Sequence, residues 1–361
     1  MDFKDLLRDI RIPYGIRRIP LDRFARLSAI PEQPGTGDVA AARLEKIGKN
    51  TRLELADGRL ATLHEGDLLA VVFGNRYATE QFEGYARVDG DRCDLLSVGG
   101  LCGIVMSRHG GVAEPSRLRL LGAFADRDGR PLSLRDHALP ALTGWTRPIV
   151  TLVCGTSMDA GKTHTATSLI VGLRRGGRQV AGIKLTGTAA GRDTWSYADG
   201  GARPALDFTD GGLPSTYLCT LQELLDLHHL LLGRAAAGGA THAVIEIADG
   251  VLQTETAALL RSREFMATVD QVVFATGDPV GAAGGVEILR RWEIEPVAIS
   301  KLVSMSPLGM REVEHATKIR CFTSDELKSG ALNDVLACAD PIRNGGNGVH
   351  VAQEKLAAPT A

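Results

Sequence analysis

Gly155-Thr156-Ser157-Met158-Asp159-Ala160-Gly161-Lys162-Thr163 is the most informative stretch in the second half of this chain. It follows a continuous apolar run, residues 149–154, and precedes a helical pattern over 162–175 that ends at two glycines. A glycine-bearing loop between a strand and a helix presents backbone N–H groups and the positive end of the helix dipole to an anion. The stretch therefore predicts a phosphate-binding loop, or P-loop.

The residue types inside this stretch suit a chain of phosphates. Gly161 allows close backbone approach, Lys162 at an exposed helix start is expected to reach the terminal phosphates, and the Thr163 hydroxyl suits Mg²⁺. The spacing from Gly155 to Gly161 is one residue longer than in the usual form of the motif. The predicted nucleotide-binding residues are Gly155, Thr156, Ser157, Met158, Asp159, Ala160, Gly161, Lys162, Thr163 and His164.

The rest of the second half alternates short β-rich runs with helical patterns. The β-rich runs lie at 179–183, 243–247, 271–275 and 296–299, and helical patterns lie at 221–232 and 286–292. Strands that alternate with helices are typical of an α/β domain with a mainly parallel sheet. We predict such a P-loop domain over residues 148–343, with a glycine-rich strand-to-helix entry at 281–285 and a flexible tail over 344–361.

The first 140 residues show the sequence patterns of short β-strands. Residues 51–55 and 59–63 alternate polar and apolar side chains on either side of Asp57-Gly58, which predicts a β-hairpin. Residues 67–73 indicate a more buried strand. We therefore predict a smaller, mostly β domain over residues 1–140 that precedes the P-loop domain.

The composition excludes several classes of protein. The 361 residues include 41 Lys and Arg against 43 Asp and Glu, a formal charge of −2, whereas a dedicated nucleic-acid binder normally has a basic excess. The sequence has neither a secretory apolar region nor an uninterrupted apolar run of about 18 residues, so we expect no membrane span. Its six cysteines are scattered, and we expect reduced thiols in a cytoplasmic protein.

Three segments in this order resemble the dethiobiotin synthetase family. That family's P-loop reads Gly-Thr-Asp-Thr-x-x-Gly-Lys-Thr, its second strand ends in Val-Ala-Gly-x-Lys, and a later strand ends in an acidic residue followed by glycines. The corresponding segments here are residues 155–163, 180–184 and 243–250, and the similarity covers about 149–325. The two-domain arrangement also resembles DUF1611-type proteins. The resemblance implies ATP and Mg²⁺ as cofactors and a homodimer.

Three further side chains are candidates for the chemistry. Lys184 ends a strand that we expect beside the P-loop strand, where its ammonium would stabilise charge on a transferred phosphoryl group. Glu246 ends an apolar run, where a carboxylate is costly unless it is paired or binds a cation, so Mg²⁺ and a structural salt bridge are both open. The resemblance implies that Asp193 also binds metal, together with Thr163 and Glu246.

Two other segments admit a functional or a structural interpretation. Residues 207–217 are polar and turn-rich, which fits either a functional loop or a surface connection. Arg76 follows a strand, where it suits either a substrate carboxylate or ordinary turn structure.

The leading functional hypothesis is an ATP- and Mg²⁺-dependent ligase-type enzyme. It would activate a small carboxylate by phosphoryl transfer so that an amine can attack the acyl phosphate, with Lys162 and Lys184 as the catalytic residues. The alternatives are a nucleotide-dependent switch, assembly module or metallochaperone, and a small-molecule kinase. Ser157 stands where the family has Asp, Leu185 where it has Pro, and no adenine-binding Asn is evident in 300–304. The choice between ATP and GTP therefore stays open.

Overall fold

The chain divides into two compact units in its computed structural model, which describes residues 2–300 and 302–337. The second unit begins close to the predicted domain boundary, at Trp145. Two segments that follow this point in the sequence nevertheless belong to the first unit. Among the described residues, the first unit comprises 2–144, 184–195 and 206–234, and the second comprises 145–183, 196–205 and those from 235 onward.

The first unit contains a mostly antiparallel sheet of seven strands and a separate two-stranded hairpin. The strand order in the large sheet is β1-β9-β2-β5-β8-β6, with β7 paired to β8 and β9, and the hairpin joins β3 to β4. One short helix, α1 (Phe3–Asp9), precedes the strands. The strands are β1 (Arg26–Ser28), β2 (Val39–Lys46), β3 (Arg52–Glu54), β4 (Leu60–Thr62), β5 (Leu68–Phe73), β6 (Phe82–Tyr85), β7 (Arg92–Leu95), β8 (Leu101–Arg108) and β9 (Ser116–Ala125).

Strand β5 explains why this part of the sequence reads as a continuous apolar run. All six of its residues are buried, and successive side chains point to opposite faces of the sheet. Leu68, Ala70 and Val72 belong to one apolar core, and the intervening residues belong to a second core. A strand buried on both faces needs apolar residues at every position, which confirms the buried strand predicted at 67–73. The hairpin predicted around Asp57-Gly58 is also confirmed by β3 and β4.

The second unit is built around a seven-stranded sheet with the order β12-β11-β13-β10-β14-β15-β16. Strand β10 runs parallel to β13 and β14, and β15 runs parallel to β14 and β16. These strands confirm the predicted α/β fold with a parallel sheet. The strands are β10 (Ile149–Gly155), β11 (Val180–Lys184), β12 (Ala205–Asp207), β13 (His242–Glu246), β14 (Gln271–Ala275), β15 (Ala298–Ser300) and β16 (Cys321–Phe322).

Helices connect the strands of this sheet. The P-loop helix α2 begins and ends where the sequence predicts, at Lys162 and Arg175. The helices are α2 (Lys162–Arg175), α3 (Arg192–Asp199), α4 (Leu221–Ala237), α5 (Thr254–Arg261), α6 (Arg263–Met266), α7 (Pro279–Arg291), α8 (Pro307–Thr317), α9 (Ser324–Ser329) and α10 (Asn333–Leu336). Short 3₁₀ turns lie at Tyr14–Ile16, Leu21–Arg23, Leu134–His137, Phe208–Gly211 and Leu302–Met305.

Two expectations about the second unit are wrong. Strand β11 does not adjoin the P-loop strand β10, because β13 lies between them in the sheet. The strand-to-helix entry lies before residues 281–285 and not within them, because β14 ends at Ala275 and α7 begins at Pro279 with Asp278 as its N-cap. The glycines there allow close packing, since a Cβ at Gly285 would lie 2.3 Å from the ring of Phe274.

Some expectations concern features that can be checked only over part of the chain. In residues 2–300 and 302–337, no helix is long and apolar enough to cross a membrane. Five of the six cysteines are described there, and each is a free thiol. The predicted tail at 344–361 lies outside the described residues.

Strand β11 packs tightly against helix α3 at Gly182. A Cβ built on Gly182 would lie 2.7 Å from Cβ of Tyr197, a separation that real Cβ atoms essentially never show. Both residues belong to the second unit, and Tyr197 is fully buried in its core. The absence of a side chain at Gly182 is what allows the helix to approach the strand.

We predict that Gly182→Ala destabilises the protein by about 1–3 kcal/mol, because the new methyl group overpacks this contact. Gly284→Ala is the matched control, since Gly284 lies in α7 with open space around its Cβ position. The control should be neutral or stabilise the protein by up to about 1 kcal/mol through helix propensity. Chemical denaturation of both variants measures the difference, and equal stabilities would contradict the tight contact.

Candidate functional site

The P-loop connects the carboxyl end of β10 to the amino end of α2, as the sequence predicts. Because β10 has parallel neighbours on both sides, its loop is flanked by the carboxyl ends of β13 and β14. The loop turns into the helix at Gly161, whose φ of +91° is in the left-handed region that favours glycine. The backbone therefore delivers Lys162 and Thr163 to the first turn of a helix whose N–H groups face the loop.

Neighbouring backbone segments hold the loop at close range. The Thr156 amide donates to the Ala275 carbonyl over 3.1 Å, and the Val251 amide donates to the Gly155 carbonyl over 3.0 Å. A Cβ on Gly250 would lie 2.1 Å from the Thr156 carbonyl oxygen. The loop is thus fixed from both sides before any ligand arrives.

Two aspartates at this loop adopt the left-handed backbone conformation. Asp159 lies inside the P-loop with φ of +60°, and Asp249 lies in the adjoining loop after β13 with φ of +58°. Aspartate tolerates this region better than most residues, but such conformations still cost energy and collect at functional sites. Their occurrence in two adjoining loops supports the choice of this region as the candidate site.

Lys162 is buried rather than exposed as expected, with 6% of its surface accessible. Its Nζ donates to the Ser157 carbonyl over 2.6 Å, so the side chain folds back across the loop that it belongs to. An ammonium held against loop backbone in a desolvated position attracts an anionic group strongly. This placement suits the phosphate-binding role predicted for Lys162.

Glu246 connects the P-loop helix to the core of the second unit. The β10–β13 register places Glu246 opposite Val153, and the side chain is 1% exposed. The Thr163 hydroxyl donates to Oε1 of Glu246 over 3.1 Å, and the Tyr197 hydroxyl donates to Oε2. Two of the three predicted metal-binding residues are thus brought together, and they supply the hard oxygen atoms that Mg²⁺ prefers.

Tyr197 was not among the residues predicted from the sequence. It lies in α3, far from the P-loop in sequence, and it belongs to no recognised motif. The one local signal is Gly182, which leaves space for an aromatic ring against β11. The contact between Tyr197 and Glu246 is visible only once the sheet and the helix are assembled.

The other predicted nucleotide-binding residues line the loop in different ways. Ser157 is exposed, and its hydroxyl donates to the Met158 carbonyl over 2.9 Å. Ala160 is buried, and Thr156 is partly buried. His164 is exposed in the first turn of α2, and its carbonyl accepts a hydrogen bond from the Ser168 hydroxyl. The exposed loop residues form the side available to a ligand.

Cys154 lies just before the loop and is fully buried. Burial raises the pKa of its thiol to about 12, although the nearby Lys162 charge acts in the opposite direction. A thiol with this pKa is protonated at neutral pH and is a poor nucleophile. Cys154 therefore acts as a small apolar residue, as the sequence suggests.

Lys184 and Asp193 both belong to the first unit, where they form an ion pair. Lys184 Nζ lies 2.8 Å from Asp193 Oδ2, and the lysine side chain is largely buried. The sequence assigned them different roles, phosphoryl-charge stabilisation and metal binding, and did not predict that they pair. Both roles stay predictions.

The segment 207–217 is a buried part of the first unit and not a surface connection. Arg17 pairs with Asp210 at 2.9 Å and with Asp207 at 3.3 Å, and the Tyr14 hydroxyl donates to Asp207 over 2.7 Å. Burial raises the pKa of Asp210, and the neighbouring Asp207 charge raises it further. These carboxylates are engaged by the N-terminal segment, which indicates a structural role.

Arg76 is also engaged by its own unit. It is buried, and its guanidinium donates to the Leu96 carbonyl and, over 2.8 Å, to the Gln81 side chain. These contacts favour the structural interpretation. Within residues 2–300 and 302–337, no group of three or more His, Cys, Asp or Glu is arranged to hold a metal ion.

Comparison with known proteins gives matches only among solved structures. No family model and no curated protein matches the chain. A DUF1611 family protein from Anabaena variabilis has 14% identity and a TM-score of 0.38, covering 57% of this chain and 63% of that chain. The signal recognition particle 54 kDa protein from Aeropyrum pernix, in complex with GDP, has 19% identity and a TM-score of 0.38. The match covers 51% of this chain and 43% of that chain.

A third match is the signal recognition particle receptor FtsY from Elizabethkingia anophelis, also in complex with GDP. It has 15% identity and a TM-score of 0.34, covering 54% of this chain and 67% of that chain. This chain therefore spans less than two thirds of the length of the first two structures. The parallel sheet, the loop after β10 and the placement of Lys162 and Thr163 define the second unit as a P-loop NTPase-like α/β fold.

We predict that Lys162→Ala abolishes stabilisation by nucleotide, because it removes the cation that the loop holds for the phosphates. Lys328→Ala, at a helix surface lysine in α9, is the control and should keep the stabilisation of the parent. Thermal-shift titrations with ATP and with GTP measure the effect. Parent-like nucleotide affinity in Lys162→Ala would contradict the P-loop assignment.

We predict that Glu246→Gln raises the Mg²⁺ concentration needed for nucleotide-dependent stabilisation, because a hard cation loses a nearby negative charge. The melting temperature without ligand should change little or rise, since the variant no longer buries a charge. A Mg²⁺ titration at fixed nucleotide measures the first effect. Severe unfolding with unaltered Mg²⁺ dependence would instead identify Glu246 as a purely structural residue.

Proposed function

We propose that this protein is a Mg²⁺-dependent, nucleotide-using enzyme that activates a small carboxylate by phosphoryl transfer so that an amine can attack it. The observation that carries the proposal is the arrangement of Lys162, Thr163 and Glu246 around the loop after β10. A buried ammonium, a hydroxyl and a buried carboxylate at the start of one helix are the groups that a metal–nucleotide complex requires.

Each of these groups would contribute through position and charge. The loop amides and Lys162 would hold the phosphates, and Thr163 and Glu246 would hold Mg²⁺. The metal, when bound, neutralises charge on the phosphate oxygens. Catalysis of this type needs little covalent chemistry from the protein, because alignment and electrostatic stabilisation supply most of the rate.

The proposed reaction balances in two steps. A carboxylate oxygen of the substrate attacks the γ-phosphorus, the bond to the bridging oxygen breaks, and the nucleoside diphosphate leaves. The amine nitrogen then attacks the acyl-phosphate carbonyl, inorganic phosphate leaves, and the nitrogen gives up a proton. Lys184 is proposed to stabilise the negative charge that develops on the transferred group.

The proposal also includes the identity of the nucleotide and the oligomeric state. The resemblance to dethiobiotin synthetases supports ATP and a homodimer, whereas the loop would contact only the phosphates, which ATP and GTP share. We propose a cytoplasmic enzyme with a small-molecule carboxylate or amine substrate.

A second candidate is a nucleotide-dependent switch or assembly module. The observation that favours it is the Lys184–Asp193 ion pair, because an ammonium compensated at 2.8 Å has a structural role without any substrate. A small-molecule kinase is a third outcome. The three differ in products: a ligase releases inorganic phosphate only with both substrates, a kinase yields a stable phosphorylated product, and a switch hydrolyses slowly without any substrate.

A ligand screen tests the proposal. Thermal shifts with ATP and GTP, each with and without MgCl₂, identify the nucleotide, because ligands that bind the native state raise the melting temperature. A panel of amino acids and dicarboxylic acids is then added to the stabilising nucleotide, and phosphate release is measured for each hit. Phosphate release that no panel member accelerates would favour the switch.

We predict that Lys184→Met lowers kcat by on the order of 10²–10³-fold once a substrate is found, because a preorganised cation is lost from the transition state. Nucleotide Kd should change far less, since Lys162 and the loop amides remain. The control is Lys328→Met, which removes an ion-paired lysine from α9. Unchanged turnover in Lys184→Met would remove this residue from the catalytic groups and favour the switch.

A further inference from the structure

Tyr197 presents its hydroxyl to the candidate site from a fixed position. The side chain is fully buried and packs in the same apolar core as Val153 and Ile170. On its other side, the backbone of Gly182 approaches so closely that no Cβ fits between them. A ring enclosed in this way cannot change rotamer without disturbing the core, so the position of its hydroxyl oxygen is set by packing.

The Tyr197 hydroxyl and the Thr163 hydroxyl occupy different oxygens of one carboxylate. Tyr197 donates to Oε2 of Glu246, and Thr163 donates to Oε1 over 3.1 Å. Fixing Oε2 sets the rotation of the carboxylate plane, and this rotation directs Oε1 toward Thr163. Thr163 is the P-loop residue whose oxygen suits a metal ion. The orientation of the Thr163–Glu246 pair thus depends on a tyrosine outside the P-loop.

We infer that Tyr197 is a positioning residue of the Mg²⁺–nucleotide site, acting through Glu246. This inference rests on the proposed function, because it assigns Thr163 and Glu246 to the metal. Groups that orient metal-binding side chains in this way typically change metal affinity 10- to 100-fold when they are removed. A tyrosine that only fills the core would have no such effect on the metal.

The test compares Tyr197→Phe with the parent, using ATP and GTP as probes. Phenylalanine keeps the ring and removes the hydroxyl. The Mg²⁺ concentration that gives half of the maximal nucleotide-dependent thermal shift should rise about 10-fold. Nucleotide Kd in EDTA should stay within about twofold, because Lys162 and the loop amides are unaltered.

Tyr14→Phe is the matched control. Tyr14 is also a buried tyrosine whose hydroxyl donates to a carboxylate, that of Asp207, but it belongs to the first unit. Its loss should lower the melting temperature without moving the Mg²⁺ midpoint. An equal shift of the Mg²⁺ midpoint in both variants would overturn the inference, because the effect would then follow from general destabilisation.

A second comparison does not depend on the folding of the single variant. Tyr197→Phe is combined with Glu246→Gln in one double variant. Because residue 246 then carries no carboxylate, removing the Tyr197 hydroxyl does not leave a buried carboxylate without this donor. If Tyr197 acts through Glu246, the Mg²⁺ midpoint of this double variant equals that of Glu246→Gln alone. A further rise in the double variant would overturn the inference.

The parent protein separates the inference from the proposed function. A parent that shows no Mg²⁺-dependent nucleotide binding contradicts both. A parent that binds Mg²⁺ and nucleotide while Tyr197→Phe keeps its Mg²⁺ midpoint contradicts the inference alone. A rise of about 10-fold confined to Tyr197→Phe, with Kd in EDTA retained, supports the positioning role.

Discussion

One buried carboxylate, that of Glu246, joins the P-loop helix to the sheet of the second unit. Glu246 lies at the end of β13 in the sheet interior, where an ionised side chain is strongly unfavourable unless donors compensate it. The compensating hydroxyls come from Thr163 at the start of α2 and from Tyr197 in α3. One carboxylate therefore connects a strand and two helices at the point where the P-loop helix α2 begins. The same contacts hold this carboxylate beside the Thr163 hydroxyl, where we propose that a cation binds.

Much of the second unit was predictable because its signals are local. The P-loop, helix α2 and strand β14 follow from glycine positions, apolar runs and helical periodicity, and their bounds agree with the structure. The order of the strands was not predictable from such signals. That β13 lies between β11 and β10 is a long-range pairing, which the periodicity of an individual strand does not encode.

The residues of the candidate site also differ in whether a local sequence signal predicts them. The residues of the loop and Glu246 were identifiable, because a motif or an unusual acidic strand end marks them. Tyr197 was not, because nothing in its neighbourhood distinguishes it from an ordinary core tyrosine. The pairing of Lys184 with Asp193 was missed for a similar reason. Likewise, no sequence pattern in residues 206–234 predicts that they belong to the same unit as the N-terminal segment. In the structure, Arg17 forms an ion pair with Asp207, and the Tyr14 hydroxyl donates to it.

The closeness of Gly250 to the loop has a consequence for recognising relatives. Because the Thr156 carbonyl occupies the place that a Cβ would need, position 250 excludes every side chain. Glu246 at the end of β13 contacts Thr163 through its carboxylate, and Gly250, four residues later in the following loop, makes close backbone contact with Thr156. A search pattern that couples the lengthened loop to Glu-x-x-x-Gly downstream therefore combines two positions that this geometry constrains.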